Sequence, residues 1–400
     1  MSKLLEQINT TKTTKRLGDL VWINQSTLNG NFPHKEIEYI DTASVTKNHF
    51  EKPQILNTEE APSRAKRLLK DGDTILSTVR PNLCHYGFIK NPKPNAVAST
   101  GFAVLTPKNI DPFYLYSYLT QDSITATLSS IAEATTTTFP AFRPEVLSEM
   151  EIEIPDLPTQ KKIAGILSAY DSKIENNNKI IKNLEATAQT IFNEWFVNFH
   201  FPGYEKVKMV ESEVGEIPEG WEVKPLDEIA EFLNGVASQK YPAEDVNNSL
   251  PVIKIREMNS GIDKNSDRAT KNIDSKYIIK NGDILFAWSG SLSLMVWVGG
   301  EGVLNQHIFK VAPENYSRWF IYYWTNKHLQ NFKTIAEGKA TTLGHIQRHH
   351  LTESKVIISD KSLLNKANTI LGPIFEQQIL LQEENISLKQ SRDQLLAGLI

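Results

Sequence analysis

The sequence predicts an α+β protein laid out as a pseudo-two-fold internal repeat: two similar α/β domains, and two long helices that pack on each other as a coiled coil. Three observations carry this. KDGDTIL (Lys70–Leu76) returns as KNGDILF (Lys280–Phe286). That echo belongs to a longer match of the chain with itself. Behind each copy stands a run of apolar residues spaced seven apart.

The echo comes first. A Gly-Asp pair between a basic residue and an apolar run reads as a tight turn that delivers the backbone into a buried strand. Around it, RLGDL (Arg16–Leu20) lies against PLDEI (Pro225–Ile229), and GFAV (Gly101–Val104) against HIFK (His307–Lys310). IAEATTTTF (Ile131–Phe139) lies against IAEGKATTL (Ile335–Leu343). The offset drifts from about 210 to 204, as loop insertions and deletions produce. Between turns, Ile284–Gly300 is uncharged but too short for a membrane span, which takes about 20 residues, and Ser289, Gly290 and Ser291 interrupt it. Two buried strands joined by a Ser-Gly turn are expected there.

The helices come next. Leu167, Ile174, Ile181, Ala188 and Trp195 fall seven apart, with Tyr170, Asn177, Leu184 and Ile191 three residues on, which makes a coiled-coil seam. The second half repeats one row, Ile374, Leu381, Leu388 and Leu395. Its other row, Leu371, Gln378, Asn385 and Arg392, is mostly polar and predicts a weaker seam. Gly372-Pro373 predicts a kink or restart. The resulting layout is a tail over 1–15, a domain over 16–155, a helix over 156–199, a Pro-, Gly- and Glu-rich linker over 200–223, a second domain over 224–358 and a second helix over 359–400.

Four hundred residues are enough for two such cores. A single cysteine, Cys84, excludes a disulfide framework and a Cys-based zinc site and fits a reducing compartment. No basic and apolar leader opens the chain, so the expected location is the cytoplasm. A net charge of −4 argues against a protein coated in nucleic acid but leaves room for a local basic face.

Catalytic motifs are missing. Gly338-Lys339-Ala340-Thr341 lacks the earlier glycine of a phosphate loop. Asp111-Pro-Phe-Tyr114 resembles the Asp/Asn-Pro-Pro-Tyr/Phe phrase of amino-methyltransferases, yet Phe113 replaces the second proline, and a turn into a helix holding Tyr116 and Tyr118 accounts for it. Glu222-Val-Lys224 has a nuclease-like ending without its upstream Pro-Asp, and reads as a solvated strand edge. His345, His349 and His350 invite a metal, but adjacent histidines diverge on regular structure and no carboxylate completes a recognisable set. No Gly-x-Ser-x-Gly elbow occurs. The expectation is a non-catalytic protein with no cofactor and no metal.

Binding remains. The first unit offers Arg64, Lys66 and Arg67, then Arg80 and Asn82 in STVRPN, then Thr136 and Thr137 ahead of Arg143. The second offers Lys254 and Arg256, Ser289 and Ser291, then Lys339, Thr341, Thr342, His345 and Arg348. Such side chains reach phosphate oxygens and base edges in a major groove. The loops differ between copies far more than the scaffold does, so the two units are expected to read different sequences. A helix of about 36 residues is about 54 Å long, enough to set two readers one DNA turn of about 34 to 36 Å apart.

ILSTVRPN (Ile75–Asn82), IPDLPTQKKIAGILSAYDSKIE (Ile154–Glu175) and GEIPEGWEVKPLDEI (Gly215–Ile229), in that order and on a duplicated frame, resemble the DNA-specificity subunit of type I restriction-modification systems. The resemblance covers nearly the whole chain. It implies two target-recognition domains, each binding one half of a split, asymmetric site in double-stranded DNA. It also implies antiparallel spacer helices that dock two modification (methyltransferase) subunits, with restriction (motor-nuclease) subunits completing the complex. S-adenosylmethionine, ATP and magnesium then belong to the partners. One departure is that Pro158-Thr159-Gln160 stands where relatives often have Ser-Glu-Gln, with no clear equivalent before the second helix. The competing expectations are an S-adenosylmethionine-dependent DNA amino-methyltransferase, resting on Asp111–Tyr114, and a coiled-coil scaffold that binds only protein.

Overall fold

The turn that announces the repeat is duplicated in its backbone bonds. In the computed structural model, which describes residues 11–135, 140–338 and 344–400, Gly72 and Gly282 adopt φ of +83° and +87°, a region that favours glycine. Each following aspartate donates its N–H to the lysine carbonyl three residues back, at 3.2 Å for Asp73 and 3.1 Å for Asp283. Each also accepts that lysine's N–H on its carboxylate, at 2.7 and 2.8 Å. The glycine N–H groups bond Ile89 O at 2.9 Å and Trp297 O at 2.8 Å. Each turn thereby fixes one strand and the edge of its neighbour.

The chain divides into two compact units, one comprising the chain to Ser172 together with Lys389–Ile400, the other Lys173–Leu388. In the first, one sheet orders its strands Val21–Ile23, Phe102–Pro107, Thr74–Ser77 and Tyr86–Phe88, all neighbours antiparallel. The other orders Gln54–Asn57, Glu36–Ile40, Ala96–Ser99 and Ala65–Leu68, with the central pair parallel. Thr13–Arg16 pairs with Glu151–Ile154 and closes the unit.

The second unit repeats this plan. Ala230–Asn234, Ile308–Pro313, Ile284–Ala287 and Ser293–Val296 form one sheet. Arg268–Thr270, Ser249–Ile253, Gly302–Leu304 and Ile278–Ile279 form the other, again with its central pair parallel. Glu222–Pro225 pairs with Lys355–Ile358. The uncharged stretch from Ile284 is the expected antiparallel pair, Ile284–Ala287 with Ser293–Val296. No helix among the described residues is long and apolar enough to cross a membrane.

Two long helices follow the globular parts, Leu157–Phe192 and Lys361–Leu399. Both begin on an aspartate cap: Asp156 Oδ1 accepts Thr159 N–H at 3.0 Å and Asp360 Oδ1 accepts Leu363 N–H at 3.0 Å. The second helix thus shares the aspartate cap of the first. Gln160, buried beside its own cap, also accepts Asp111 N–H at 2.9 Å, and Leu364 stands in its place in the second helix. Gly372-Pro373 does not restart the second helix, which runs through both residues.

The seam differs from the sevenfold prediction. In the first helix Leu167, Ile174 and Asn177 are buried, Tyr170, Ile181 and Leu184 half-buried. Towards the C-terminus the buried row becomes Ala188, Phe192 and Phe196, leaving Ile191 and Trp195 half-buried. A straight helix turns every 3.6 residues and drifts away from a sevenfold row, and Asn193–Val197 form a π-helical turn. Phe192 and Phe196 meet Tyr323, Trp324, Trp319 and Phe320 with ring centroids 5.3 to 5.9 Å apart. This aromatic core, more than a helix partner, sets that end.

In the second helix Leu381 and Leu395 are buried, while Ile374 and Leu388 are half-buried. The row expected to be weak holds buried Leu371, Gln378 and Asn385. Asn385 and Arg392 find partners on the first helix, whereas Gln378 Nε2 is buried without a hydrogen bond. Within the second unit Asn177 Nδ2 donates to Asn385 Oδ1 at 3.0 Å and Glu384 Oε2 at 2.8 Å, and Asn385 Nδ2 donates to Asn178 Oδ1 at 2.9 Å. Within the first unit Arg392 pairs with Asp171 at 2.6 Å. The helix segments run antiparallel inside the second unit, since Asn177 meets Asn385 while Phe192 shares a core with Leu371 and Phe375.

Residues 200–223, expected as a linker, are also structured. Phe201 stacks on Trp221 at 5.2 Å in the core, and Met209–Ser212 pairs with Gly215–Pro218 as a hairpin.

Candidate nucleic-acid interface

Each unit gathers its candidate loops by the same main-chain bonds. In the first, Arg80 N–H donates to Pro140 O at 2.7 Å, Phe142 N–H to Thr78 O at 3.0 Å, Thr78 N–H to Gly101 O at 2.9 Å and Thr100 N–H to Arg64 O at 2.8 Å. Four segments distant in sequence, bearing Arg64, Thr100, Arg80 and Arg143, become one surface. In the second, Gly290 N–H donates to Gly344 O at 2.8 Å, Ile346 N–H to Trp288 O at 3.0 Å and Trp288 N–H to His307 O at 3.3 Å. The frame is shared and the side chains are not.

The backbone at the first cluster is unusual. Arg80 and Cys84 flank the short turn Pro81–Leu83 with φ of 47° and 56°, and Lys47 and Asn48, whose N–H groups bond Cys84 O and Tyr86 O, have φ of 46° and 64°. Left-handed non-glycine residues cost energy and concentrate where a loop must hold a side chain in place for function. Arg80 and Asn82 are exposed there, as are Arg64, Lys66 and Arg143. Arg67 is half-buried on Ala65–Leu68. Its Nε is buried without a hydrogen bond, and burial lowers its pKa.

In the second unit several candidate cations are occupied within the protein. Lys254 pairs with Asp267, and Arg256 bonds Glu257 at 2.6 Å, Asp263 at 3.0 Å and Ser266 at 3.2 Å. These bonds raise the pKa of Arg256 and hold the Asp263 and Asp267 carboxyls below the ordinary range. These carboxylates offset the charge of both cations and weaken their pull on a phosphate. Arg348 donates to Phe232 O at 3.2 Å and lies 5.6 Å over the Phe309 ring.

Ser289 and His345 face each other across a strand bridge, with Ser291 exposed beside them. Thr136, Thr137, Lys339, Thr341 and Thr342 lie outside the described residues. His307 and Gln306 also carry side chains at the same cluster, and in the sequence His307 stands out only by its alignment with Gly101.

His349 and His350 do not diverge, their rings lying 4.0 Å apart, and Glu353 brings its carboxylate within 4.8 Å of both. Yet His350 Nδ1 accepts the Gln347 N–H at 3.0 Å, which places the ring proton on Nε2 and leaves that nitrogen no lone pair for a metal. Asp111 caps the helix Pro112–Leu119, accepting from Phe113 and Tyr114 N–H at 3.0 Å each, and Tyr114 is fully buried. A tyrosine in the core cannot stack on a flipped base, so the phrase is structural.

Two α/β units of one topology, each presenting a loop cluster on an identical main-chain frame with its own side chains, define a duplicated recognition protein. Residues 9–186 and 218–389 match the family described as type I restriction modification DNA specificity domain. The chain belongs to that family and is a specificity subunit of a type I restriction-modification system. It is 26% identical to the type I restriction enzyme HindI specificity subunit of Haemophilus influenzae, over 92% of this chain and 94% of that protein. With the MjaIX specificity subunit of Methanocaldococcus jannaschii the identity is 28%, over 96% and 86%. The crystal structure of a type I restriction-modification S subunit from M. genitalium shares the fold, with a TM-score of 0.56, 17% identity and coverage of 98% and 96%.

Proposed function

We propose that each unit reads one half of an asymmetric, bipartite site in double-stranded DNA, and that the chain brings no catalytic groups of its own. Two modification subunits dock along the long helices, restriction subunits complete the complex, and the assembly works in the cytoplasm. The carrying observation is the shared frame with unlike side chains: Arg80 stands where the second unit has Gly290, and His307 where the first has Gly101. A duplicated scaffold with divergent tips suits two unlike half-sites.

The test is binding of the full chain, with its modification subunits, to a library of duplexes at several salt concentrations. One discontinuous sequence should be retained, with affinity falling steeply with salt as phosphate contacts release counterions. Equal retention of all duplexes would remove the proposal. Equilibrium dialysis of the chain alone should show no uptake of labelled S-adenosylmethionine.

A further inference from the structure

The second unit's cluster contains a relay of side chains that the first lacks among its described residues. Ser289 Oγ lies 3.0 Å from His307 Nδ1, and His307 Nε2 lies 3.3 Å from Gln306 Nε2. An amide nitrogen only donates, so His307 Nε2 accepts, the ring proton sits on Nδ1, and Nδ1–H donates to Ser289. The imidazole is flanked by Trp288 at 5.9 Å, itself stacked on Phe309 at 5.6 Å and bonded through Nε1 to Asn234 Oδ1 at 2.9 Å. The backbone beneath is also fixed. His307 N–H donates to Asn305 Oδ1 at 3.2 Å, and Gln306 N–H to Val236 O at 2.9 Å.

The first unit has Ser99-Thr100-Gly101 on the same frame, where Gly101 N–H bonds Ser99 Oγ at 3.2 Å and a Cβ on Gly101 would meet Thr42 Cγ2 at 2.8 Å. The ring and the amide are therefore additions specific to the second unit.

One amide N–H of Gln306 is spent on His307, leaving the other N–H and the carbonyl oxygen as a donor-acceptor fork. That fork matches the N7 acceptor and N6 amino donor of adenine in the major groove. We propose that Gln306, held by His307 and Ser289, reads an adenine in the half-site taken by the second unit. Gln306 touches the base, and His307 and Ser289 are positioning residues. The proposal rests on the function put forward above.

The experiment is selection of randomised duplexes by the full chain with its modification subunits, comparing wild type, Gln306→Ala, Gln306→Arg, Ser289→Ala and Ser289→Thr. Gln306→Ala should lose a preference of about tenfold or more for A·T at one position of one half-site and leave the other half unchanged. Gln306→Arg should move that position towards guanine. Ser289→Ala should blur the same position, and Ser289→Thr should restore it, which a merely structural role would not do. A Gln306→Ala motif identical to wild type, or loss of information across both halves, overturns the inference while leaving the general function intact. Failure of wild type to select any bipartite motif would instead bring down the general function and the inference with it.

Discussion

Asp73 shows how one residue serves the repeat. It is fully buried, accepting Lys70 N–H at 2.7 Å on Oδ2 and Thr106 Oγ–H at 2.7 Å on Oδ1. Burial raises its pKa despite both bonds and the nearby lysine. Its counterpart Asp283 instead pairs with Lys310 at 2.8 Å, so the two turns share geometry and differ in electrostatics. Asp73→Ala leaves a part-buried N–H and a part-buried hydroxyl without their acceptor and should cost about 1–3 kcal/mol in urea denaturation. Asp73→Asn keeps both bonds after rotation of the Thr106 hydroxyl and should cost much less. The sign with pH follows from the raised pKa: the folded protein binds the proton more readily than the unfolded chain. Wild type therefore gains on Asp73→Asn as pH falls from neutral towards the ordinary carboxylate value and loses that gain as pH rises through the folded pKa. A gap between the two that does not change with pH would refute this account.

Among the elements, the strands and turns were legible because Gly72 and Gly282 announce themselves by chemistry that few other residues can supply. The helices were legible in extent and only partly in facing. The sevenfold count selected Ile191 and Trp195, whereas the tertiary aromatic core selects Phe192 and Phe196. It also set aside Asn385 as weakness, since a single row cannot show that Asn177 and Asn178 will stand opposite. The reading loops were legible as loops, but the bonds that join Arg64 to Thr100 and Ser289 to His307 link residues far apart in sequence. The seam yields a prediction of its own. Asn385→Leu leaves the Asn177 and Asn178 amides facing a hydrocarbon and should destabilise by about 1–3 kcal/mol. Asn177→Leu combined with Asn385→Leu should recover much of that loss, because the unpaired amide of the central pair is then gone. Denaturation midpoints for both single variants and the double form the cycle, and strictly additive effects would show that the asparagines are not coupled.

At the scale of the whole chain, duplication separates two stability problems. The first unit's core takes in Ile163, Ala164 and Leu167 from the first long helix and Leu395 and Leu399 from the second. The second unit's core takes in Ala188, Phe192, Leu371 and Phe375. Each globular part is therefore finished by its own helix segments, and grafting one from a relative tests whether specificity is equally divisible. Replacing residues 16–155 while keeping Asp156 preserves the cap and changes no residue of the second unit. Such a chimera should stay folded only if the graft covers Ile163 and Leu167 with apolar surface, since leaving two such side chains exposed forfeits about 1.5–3 kcal/mol each. Given that, the modified-base map of DNA from cells carrying the chimera and its modification subunits should show one half of the recognition sequence exchanged and the other half retained. Exchange of both halves, or of neither, would mean that recognition is shared between the units, and the duplicated frame would need another explanation.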